Sequence, residues 1–321
     1  QPQIKDGLPG NKYSIGPALL WFPAFFTVHT LLGGTGYELP YQFAAGLVSV
    51  LLTLFSFVLL YRLLSKYFSS SSSLLATLSI AVATNLYFYG SLDTVNSHAL
   101  SFFAVTVFIC LLEAKPKNWF AIGIFLGLVS LIRTQDIVYA LLIIPFFKTT
   151  IKMMHSDTLI PGIMPGVTGF TVVFGLQLLV WQLLYGSFMM SPYLSGGEYF
   201  NLFQTHIFQV LFAPPYGLFL YSPILIFSII GLFMWKNILR LYCLFAILVE
   251  LLIISSWNTW WQGASFGGRM FVSSLPIFAF GLASFFSWVM RRGVKPAILI
   301  SFIASLAFLN GLLMIVFLLS T

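Results

Sequence analysis

The residues best suited to chemistry lie in short polar motifs between long apolar runs. Residues 90–98 (GSLDTVNSH) gather a carboxylate, an amide and an imidazole at Asp93, Asn96 and His98. Such a group can orient a hydroxyl, accept its proton or hold a phosphate. The alternative is structural, with Asp93 capping the next helix and His98 packing against a neighbour.

A second motif, residues 257–269 (WNTWWQGASFGGR), combines three tryptophans with a Gly-Gly pair and an arginine. Three large tryptophan side chains, Trp257 and Trp261 among them, are typical of the aromatic belt at a membrane interface. Arg269 and the glycines before it do not fit a simple belt, because glycine lets the backbone approach a ligand and arginine presents a planar cation suited to phosphate. A fixed cation at the membrane surface is what a phosphate leaving group needs.

Two smaller motifs also carry cations. Lys12 and Tyr13 directly precede a Gly-Pro helix start, where they either meet a ligand or act as a snorkelling lysine and an interfacial tyrosine. Arg133 and Gln135 lie at a turn between two apolar runs. A charge at that depth is a candidate functional group, although pairing with Asp136 would also satisfy the arginine.

Other polar positions carry weaker signals. The connection 193–216 has the length and turn residues of an external lid. Glu250, in the middle of an apolar run, favours a hydrogen bond between helices over a proton relay. His29, His155 and His206 show no metal-ligand spacing, so the residues support no cofactor and no divalent metal.

The elements that position these motifs are predicted to be membrane-spanning helices. Of the 321 residues, 59% are hydrophobic and 7% charged, against about 25% charged in an average soluble domain. Apolar runs long enough to cross a hydrocarbon core of about 30 Å recur along the chain and lack the alternation of barrel strands. We therefore predict an all-α integral membrane protein, a polytopic helical bundle in the lipid bilayer.

The net charge of +7 arises in short connections between apolar runs, which the positive-inside rule explains better than nucleic-acid binding. Placing these connections in the cytoplasm gives ten spans. They fall near residues 40–61, 74–91, 98–113, 118–133, 137–150, 160–186, 215–235, 237–256, 270–290 and 296–319. Hydropathy alone leaves Gly16 to Leu32 as either a span or an interfacial helix.

The motifs, taken in order, resemble those of the C-type glycosyltransferases, polytopic membrane enzymes that use lipid-linked sugars. The resemblance is to the family 39-like bacterial relatives of protein O-mannosyltransferases and lipid A aminoarabinose transferases. The matching segments are residues 11–21 (NKYSIGPALLW), 84–102 (TNLYFYGSLDTVNSHALSF), 127–135 (GLVSLIRTQ), 210–223 (VLFAPPYGLFLYSP) and 257–269. No segment is specific alone, but the ordered set covers almost the whole chain.

The resemblance implies a GT-C bundle with an outward-facing site in a bacterial inner membrane. It implies inverting transfer of a sugar from a polyprenyl-phosphate donor to a hydroxyl of a protein, lipid or glycan. Residues 1–39 would form part of the first external loop, with Gly16 to Leu32 as an interfacial helix, and 40–321 the transmembrane bundle of a single domain.

The resemblance also implies roles for particular residues. Lys12 would face the lipid phosphate, Asp93 matches a second external carboxylate with His98 close by, and Arg269 would contact phosphate or sugar. The remaining predicted substrate-binding residues are Tyr13, Arg133, Gln135, Trp257 and Trp261.

One departure separates the chain from these relatives, which carry a catalytic acidic residue early in the first external loop. Asp6 is too close to the Lys12 motif to match it. We expect the first span and the main catalytic base to lie upstream of Gln1, and the chain beginning at Gln1 to be inactive. The rival interpretations are a transporter or flippase, or a non-catalytic subunit that binds lipid, although the sequence lacks the repeat halves typical of transporters.

Overall fold

A computed structural model describes residues 10–115, 117–147, 160–261, 263 and 265–320. In the helix that begins at Ile160, side chains are described from residue 163. Within these residues the chain folds into helices, and the pairing between Phe200 and Trp257 is an isolated bridge. Asp6, His155 and the basic connection 148–152 lie outside the described residues. The predicted helical membrane class is confirmed.

Fifteen helices follow one another along the described chain. They are α1 Gly16–Leu32, α2 Leu39–Leu64, α3 Ser70–Val82, α4 Leu86–Ser91, α5 Ser97–Glu113, α6 Trp119–Ile132, α7 Thr134–Phe147, α8 Ile160–Tyr185, α9 Pro192–Ser195, α10 Ile207–Phe212, α11 Leu218–Tyr221, α12 Ile224–Met234, α13 Leu239–Ser255, α14 Leu275–Arg291 and α15 Pro296–Ser320. A 3₁₀ turn, Arg269–Ser274, leads into α14.

Four helical segments are long and apolar enough to cross a membrane: Leu39–Leu64, Ile163–Tyr185, Arg269–Arg291 and Pro296–Ser320. Six shorter apolar helices accompany them in the described residues, and the count of ten spans stays a prediction. Arg269–Arg291 is the central element, because 83% of its apolar window is buried inside the protein, against 33% for α2 and 17% for α15. The outer helices turn apolar side chains outward, as a bundle in lipid requires.

Two of the predicted spans are broken. The segment predicted as one span over 74–91 is divided into α3 and α4, because residues 83–85 leave the helix and Asn85 bonds to other segments instead. The segment predicted over 215–235 begins with the short helix α11 before α12. Both breaks lie next to the polar residues described below.

Close helix packing is achieved where small residues face one another. A Cβ atom added at Gly231 of α12 would collide with the carbonyl oxygen of Gly281 in α14. The absence of side chains at this crossing lets the two backbones meet, a common arrangement in membrane bundles.

Helix α1 lies against α2 and points its start towards the centre of the protein. Trp21 donates from Nε1 to Ser49 Oγ at 2.9 Å, and the rings of Phe25 and Tyr41 lie 4.8 Å apart. At its start, Gly16 packs so closely on the end of α6 that a Cβ there would lie 2.5 Å from the Leu131 carbonyl oxygen. This contact carries the Lys12 motif towards the turn that holds Arg133.

Candidate functional site

The candidate site forms where the start of α5, the turn between α6 and α7, and the turn before Arg269–Ser274 meet. Arg133 Nη1 lies 2.9 Å from His98 Nδ1 and 3.3 Å from the Met270 carbonyl oxygen. Nη2 donates to Met270 Sδ at 2.5 Å. Because arginine can only donate, Nδ1 of His98 is the acceptor, and a neutral imidazole carries its proton on Nε2.

Arg133 forms no hydrogen bond or salt bridge with Asp136 among the described contacts, although the two charges still act on each other through space. Asp136 accepts hydrogen bonds from Ser101 and from Ser273, whose Oγ lies 3.2 Å away. The Arg133 side chain is nevertheless buried, with 7% of its surface exposed. The hydrogen bonds of this buried guanidinium group thus go to His98 and Met270 at the site rather than to a carboxylate.

Helix α4 and the residue before it hold the turn that leads to Arg269. Asn85 donates from Nδ2 to the carbonyl oxygens of Gly267 at 2.6 Å and Gly268 at 3.1 Å. Tyr89 Oη accepts from the Phe266 N–H at 2.9 Å and lies 3.0 Å from the Phe266 carbonyl oxygen. Gly268 has φ 65° and ψ 44°, a left-handed conformation that glycine adopts without strain.

Arg269 completes a cluster of positive charge. Its Nε is buried and has no hydrogen-bond partner among the described residues. Its charge acts on Arg133 and on Tyr13, Tyr89 and Asp93. A buried donor without a partner and two guanidinium groups within electrostatic reach of each other are the features of an anion-binding site.

The N-terminal motif joins the cluster through an ion pair. Lys12 Nζ contacts Glu198 Oε1 and lies 4.7 Å from the centre of the Tyr193 ring. Glu198 Oε2 accepts hydrogen bonds from Trp257 Nε1 at 2.5 Å and from Thr259 Oγ1 at 3.2 Å. Lys12–Glu198 is the salt bridge found among the described residues.

The pKa values of two external groups follow from this packing. Partial burial alone would raise the pKa of Glu198, but hydrogen bonds from Lys12, Trp257 and Thr259 outweigh it and hold the pKa below its ordinary value. Burial raises the pKa of Tyr193, against the opposing charges of Arg133 and Arg269. Tyr193 is therefore an uncharged ring that packs against Lys12 and Trp257.

The structure brings most of the predicted residues together. His98, Arg133 and Arg269 form the centre; Gln135 reaches Met270 Sδ at 3.9 Å; and Lys12 and Trp257 share Glu198. Their roles in binding or catalysis stay predictions.

The other predicted residues lie at the margin. Tyr13 is 71% exposed and Trp261 is 41% exposed; the Trp261 ring lies 6.0 Å from Trp260 rather than against the arginines. Asp93 is exposed and within electrostatic reach of Arg269. Asp93 does not cap α5, because the side chain that caps it is Asn96, which accepts from the His98 N–H at 2.9 Å.

Sequence reasoning missed Glu198, Asn85, Tyr89 and Tyr193 as parts of the site. Asn85 and Tyr89 lie in residues 84–102, a segment that carries the family resemblance, and a buried amide beside a helix break is the signal that could have identified Asn85. Glu198 follows two glycines in the external loop, yet its partner Lys12 is 186 positions away. A pairing so distant in sequence leaves no local pattern.

Behind the arginines lies a buried polar network. Tyr139 Oη lies 2.9 Å from Glu250 Oε2 and 3.0 Å from Ser273 Oγ. Ser273 also contacts Glu250 Oε1 at 3.2 Å, and Ser274 bonds to the same carboxyl group. These hydrogen bonds between helices are the role predicted for Glu250, and they tie α7 and α13 to the 3₁₀ turn that begins at Arg269.

Within the described part of the chain, no three His, Cys, Asp or Glu side chains are grouped to hold a metal ion. A divalent metal, which the sequence neither requires nor excludes, has no support from these residues.

A helical membrane bundle with a cationic cluster at one end defines a class of proteins that handle anionic ligands at the membrane. The chain belongs to the family described as dolichyl-phosphate-mannose-protein mannosyltransferase, whose sequence model matches residues 17–181, just over half of the chain. No curated protein and no solved structure matches it. The predicted resemblance is confirmed, and the protein is a membrane glycosyltransferase of the C type.

Only part of the candidate site lies within the residues that the family model matches. This part contains Asp93, His98 and Arg133, whereas Lys12, Glu198 and Arg269 lie outside it. The family match therefore does not bear on Lys12, Glu198 or Arg269.

Proposed function

We propose that the protein transfers a sugar from a polyprenyl-phosphate donor to a hydroxyl-bearing acceptor on the outer face of a bacterial inner membrane, with inversion at the transferred carbon. The observation that carries this proposal is the pair Arg133 and Arg269, with the buried Arg269 Nε lacking a partner among the described residues. A phosphate is the anion for which such paired guanidinium groups are suited.

In this reaction the acceptor hydroxyl attacks the anomeric carbon as the bond from that carbon to the phosphate oxygen breaks. The hydroxyl proton passes to a carboxylate, and polyprenyl phosphate leaves. Negative charge grows on the leaving phosphate, so fixed cations stabilise the transition state more than the ground state. Asp93, exposed beside Arg269, is the carboxylate of this group that we expect to assist the acceptor hydroxyl.

An apolar cavity lined by α1 and α2 supports a lipid-linked donor. Its volume is about 390 Å³, and its lining includes Trp21 and Phe25 of α1, Ala45 of α2 and Val95 of the turn that carries Asp93. An aromatic and aliphatic lining favours a hydrocarbon chain. Because Val95 lies three residues before His98, one wall of this cavity adjoins the segment that leads into the site.

The test is transfer by purified protein, produced from the complete gene and reconstituted in lipid vesicles, with radiolabelled polyprenyl-phosphate sugars. Arg133→Ala and Arg269→Ala should each lower kcat/KM by about a hundredfold or more, the magnitude of losing one charged group in a transition-state site. Arg269→Lys should recover part of the rate, because it restores charge without the fork.

Arg240→Ala is the matched control. Arg240 donates to the Phe233 carbonyl oxygen at 2.8 Å on a basic connection predicted to be cytoplasmic, so its loss should leave the rate unchanged. Folded Arg133 and Arg269 variants that transfer sugar normally would refute the proposal. Binding of the lipid without transfer from any donor would instead favour the non-catalytic subunit.

A further inference from the structure

We propose that Glu198 is the resting partner of Lys12, and that the phosphate of a bound lipid must displace it. Glu198 would thereby set the affinity of the site for its anionic ligand. This inference rests on the proposed function only in taking a polyprenyl phosphate as that ligand.

The first step is that Lys12 is already engaged in the free protein. Its ammonium group contacts Glu198 Oε1 and lies over the Tyr193 ring at 4.7 Å. The Lys12 side chain is 48% exposed, whereas that of Glu198 is 15% exposed. While the carboxylate holds this ammonium it offsets much of the positive charge, so a phosphate gains the full attraction of Lys12 only by taking the place of the carboxylate.

The second step is that the two partners are held unequally. Glu198 keeps Trp257 and Thr259 as donors when Lys12 leaves. Its loop is also fixed to the Trp257 segment, by the bond from the Asn258 N–H to the Tyr199 carbonyl oxygen at 3.0 Å and by that from the Tyr199 N–H to Asn258 Oδ1 at 3.0 Å. Lys12 is therefore the mobile partner, on a flexible four-carbon chain.

The third step concerns the charge of the ligand. A sugar-bearing polyprenyl phosphate is a phosphodiester with one negative charge, whereas the product is a phosphomonoester with about 1.5 to 2 negative charges at neutral pH. A cationic site without a competitor binds the product more tightly than the donor, which slows turnover where product release limits the rate. Glu198 competes with both ligands for Lys12 and pairs with it again as the product leaves.

The experiment compares Glu198→Gln with Glu38→Gln in lipid nanodiscs. Glutamine at 198 keeps an oxygen for Trp257 but removes the competing charge. Glu38 is a matched control, since its carboxylate bonds within its own turn, to the Thr35 and Gly36 N–H groups, at 2.9 and 3.0 Å. The probe is sugar-free polyprenyl phosphate, and the first measurement is its Kd.

We expect Glu198→Gln to bind the probe about three- to tenfold more tightly, the range of a partly buried ion pair, and Glu38→Gln to bind it as the wild type does. Lys12→Ala and the double variant Lys12→Ala/Glu198→Gln should bind the probe equally weakly. Damage to the loop would weaken binding instead, so the sign of the change separates competition from a structural role.

A second measurement needs no lipid. The rate of acylation of Lys12, followed by mass spectrometry of its peptide, should rise in Glu198→Gln because the amine is released, and should stay unchanged in Glu38→Gln. Unchanged Lys12 reactivity, or probe binding that is not tightened by Glu198→Gln, would overturn the inference while sugar transfer by the wild type still supported the proposed function. Absence of both probe binding and transfer in every variant would refute the proposed function as well.

Discussion

At the scale of single residues, the site is defined by which partners its cations have. Arg133 is buried and hydrogen-bonded to His98 and Met270. Neither side chain bears a negative charge. Arg269 has a buried nitrogen with no partner among the described residues. A buried cation that is not hydrogen-bonded to a carboxylate attracts an anion more strongly than a surface arginine does.

His98 is expected to hold Arg133 as an acceptor rather than to move a proton. His98→Phe removes the acceptor and should weaken donor binding by about tenfold or more, since a buried donor left without a partner costs about 1–3 kcal/mol. His98→Asn, whose amide oxygen can accept the same bond, should keep most of the affinity. Equal losses in both variants, measured by donor titration, would contradict the acceptor role.

The lowered pKa of Glu198 predicts how the stability of the protein depends on pH. Because its pKa in the folded protein is below the ordinary value of 4.5, its interactions stabilise the protein above that value and are lost as the pH falls through the lower, folded pKa. The difference in Tm between wild type and Glu198→Gln should be constant at neutral and mildly acidic pH and shrink below pH 4.5. A difference that disappears already at mildly acidic pH would contradict it.

At the scale of elements, the site depends on helix breaks that hydropathy does not reveal. The apolar pattern over 74–91 predicts one continuous span, but Asn85 interrupts it by bonding to the turn at Gly267 and Gly268. Hydropathy measures how well a segment tolerates lipid, and a single buried amide changes it little. The local sequence therefore predicts the helices well and the breaks between them poorly.

Asn85 should matter for activity beyond its effect on stability. Asn85→Ala leaves two carbonyl groups without their donor and should lower kcat by about tenfold or more, as Arg269 loses its fixed position. Asn118→Ala is the comparison, because Asn118 caps α6 through the Ala121 N–H at 3.0 Å. Its loss should cost about 1 kcal/mol of stability and leave the transfer rate of the folded protein unchanged.

The crossing of α12 and α14 predicts a steric effect. Gly231→Ala places a methyl group against the Gly281 carbonyl oxygen and should lower stability by about 1–3 kcal/mol. Gly311→Ala, in α15 with no atom within 4 Å of the added Cβ, should be neutral or slightly stabilising. Thermal unfolding in detergent compares the two, and equal Tm values would show that the backbones can separate without cost.

At the scale of the whole molecule, the sequence predicts the class, the membrane environment and the candidates His98, Arg133 and Arg269, which lie together in the structure. The predictions of class and environment succeed because the bilayer constrains composition, whereas the functional roles of the three residues stay predictions. The contact of Glu198 with Lys12 could not be predicted from the sequence, because it depends on the path of a long loop. The sequence favours Trp261 as a substrate-binding residue because its side chain is a large aromatic ring, but its surroundings are those of an interfacial residue.

The proposed orientation predicts which surfaces face the cell exterior. In a variant with Cys110 and Cys243 replaced by alanine, a cysteine at the fully exposed Phe203 should react with a membrane-impermeant thiol reagent in intact cells. A cysteine at Lys236 should react only after the membrane is permeabilised. The reverse pattern would invert the topology and place the arginine cluster in the cytoplasm.

The ion pair between Lys12 and Glu198 also has a consequence for evolution. Residues 186 positions apart in the chain share one electrostatic interaction, so a change at either leaves an unmatched charge beside the arginines. Among homologues, we expect positions 12 and 198 to covary, with a neutral residue at one accompanied by a neutral residue at the other. Lineages that retain the lysine but lose the carboxylate would be those that have come to hold their lipid more tightly.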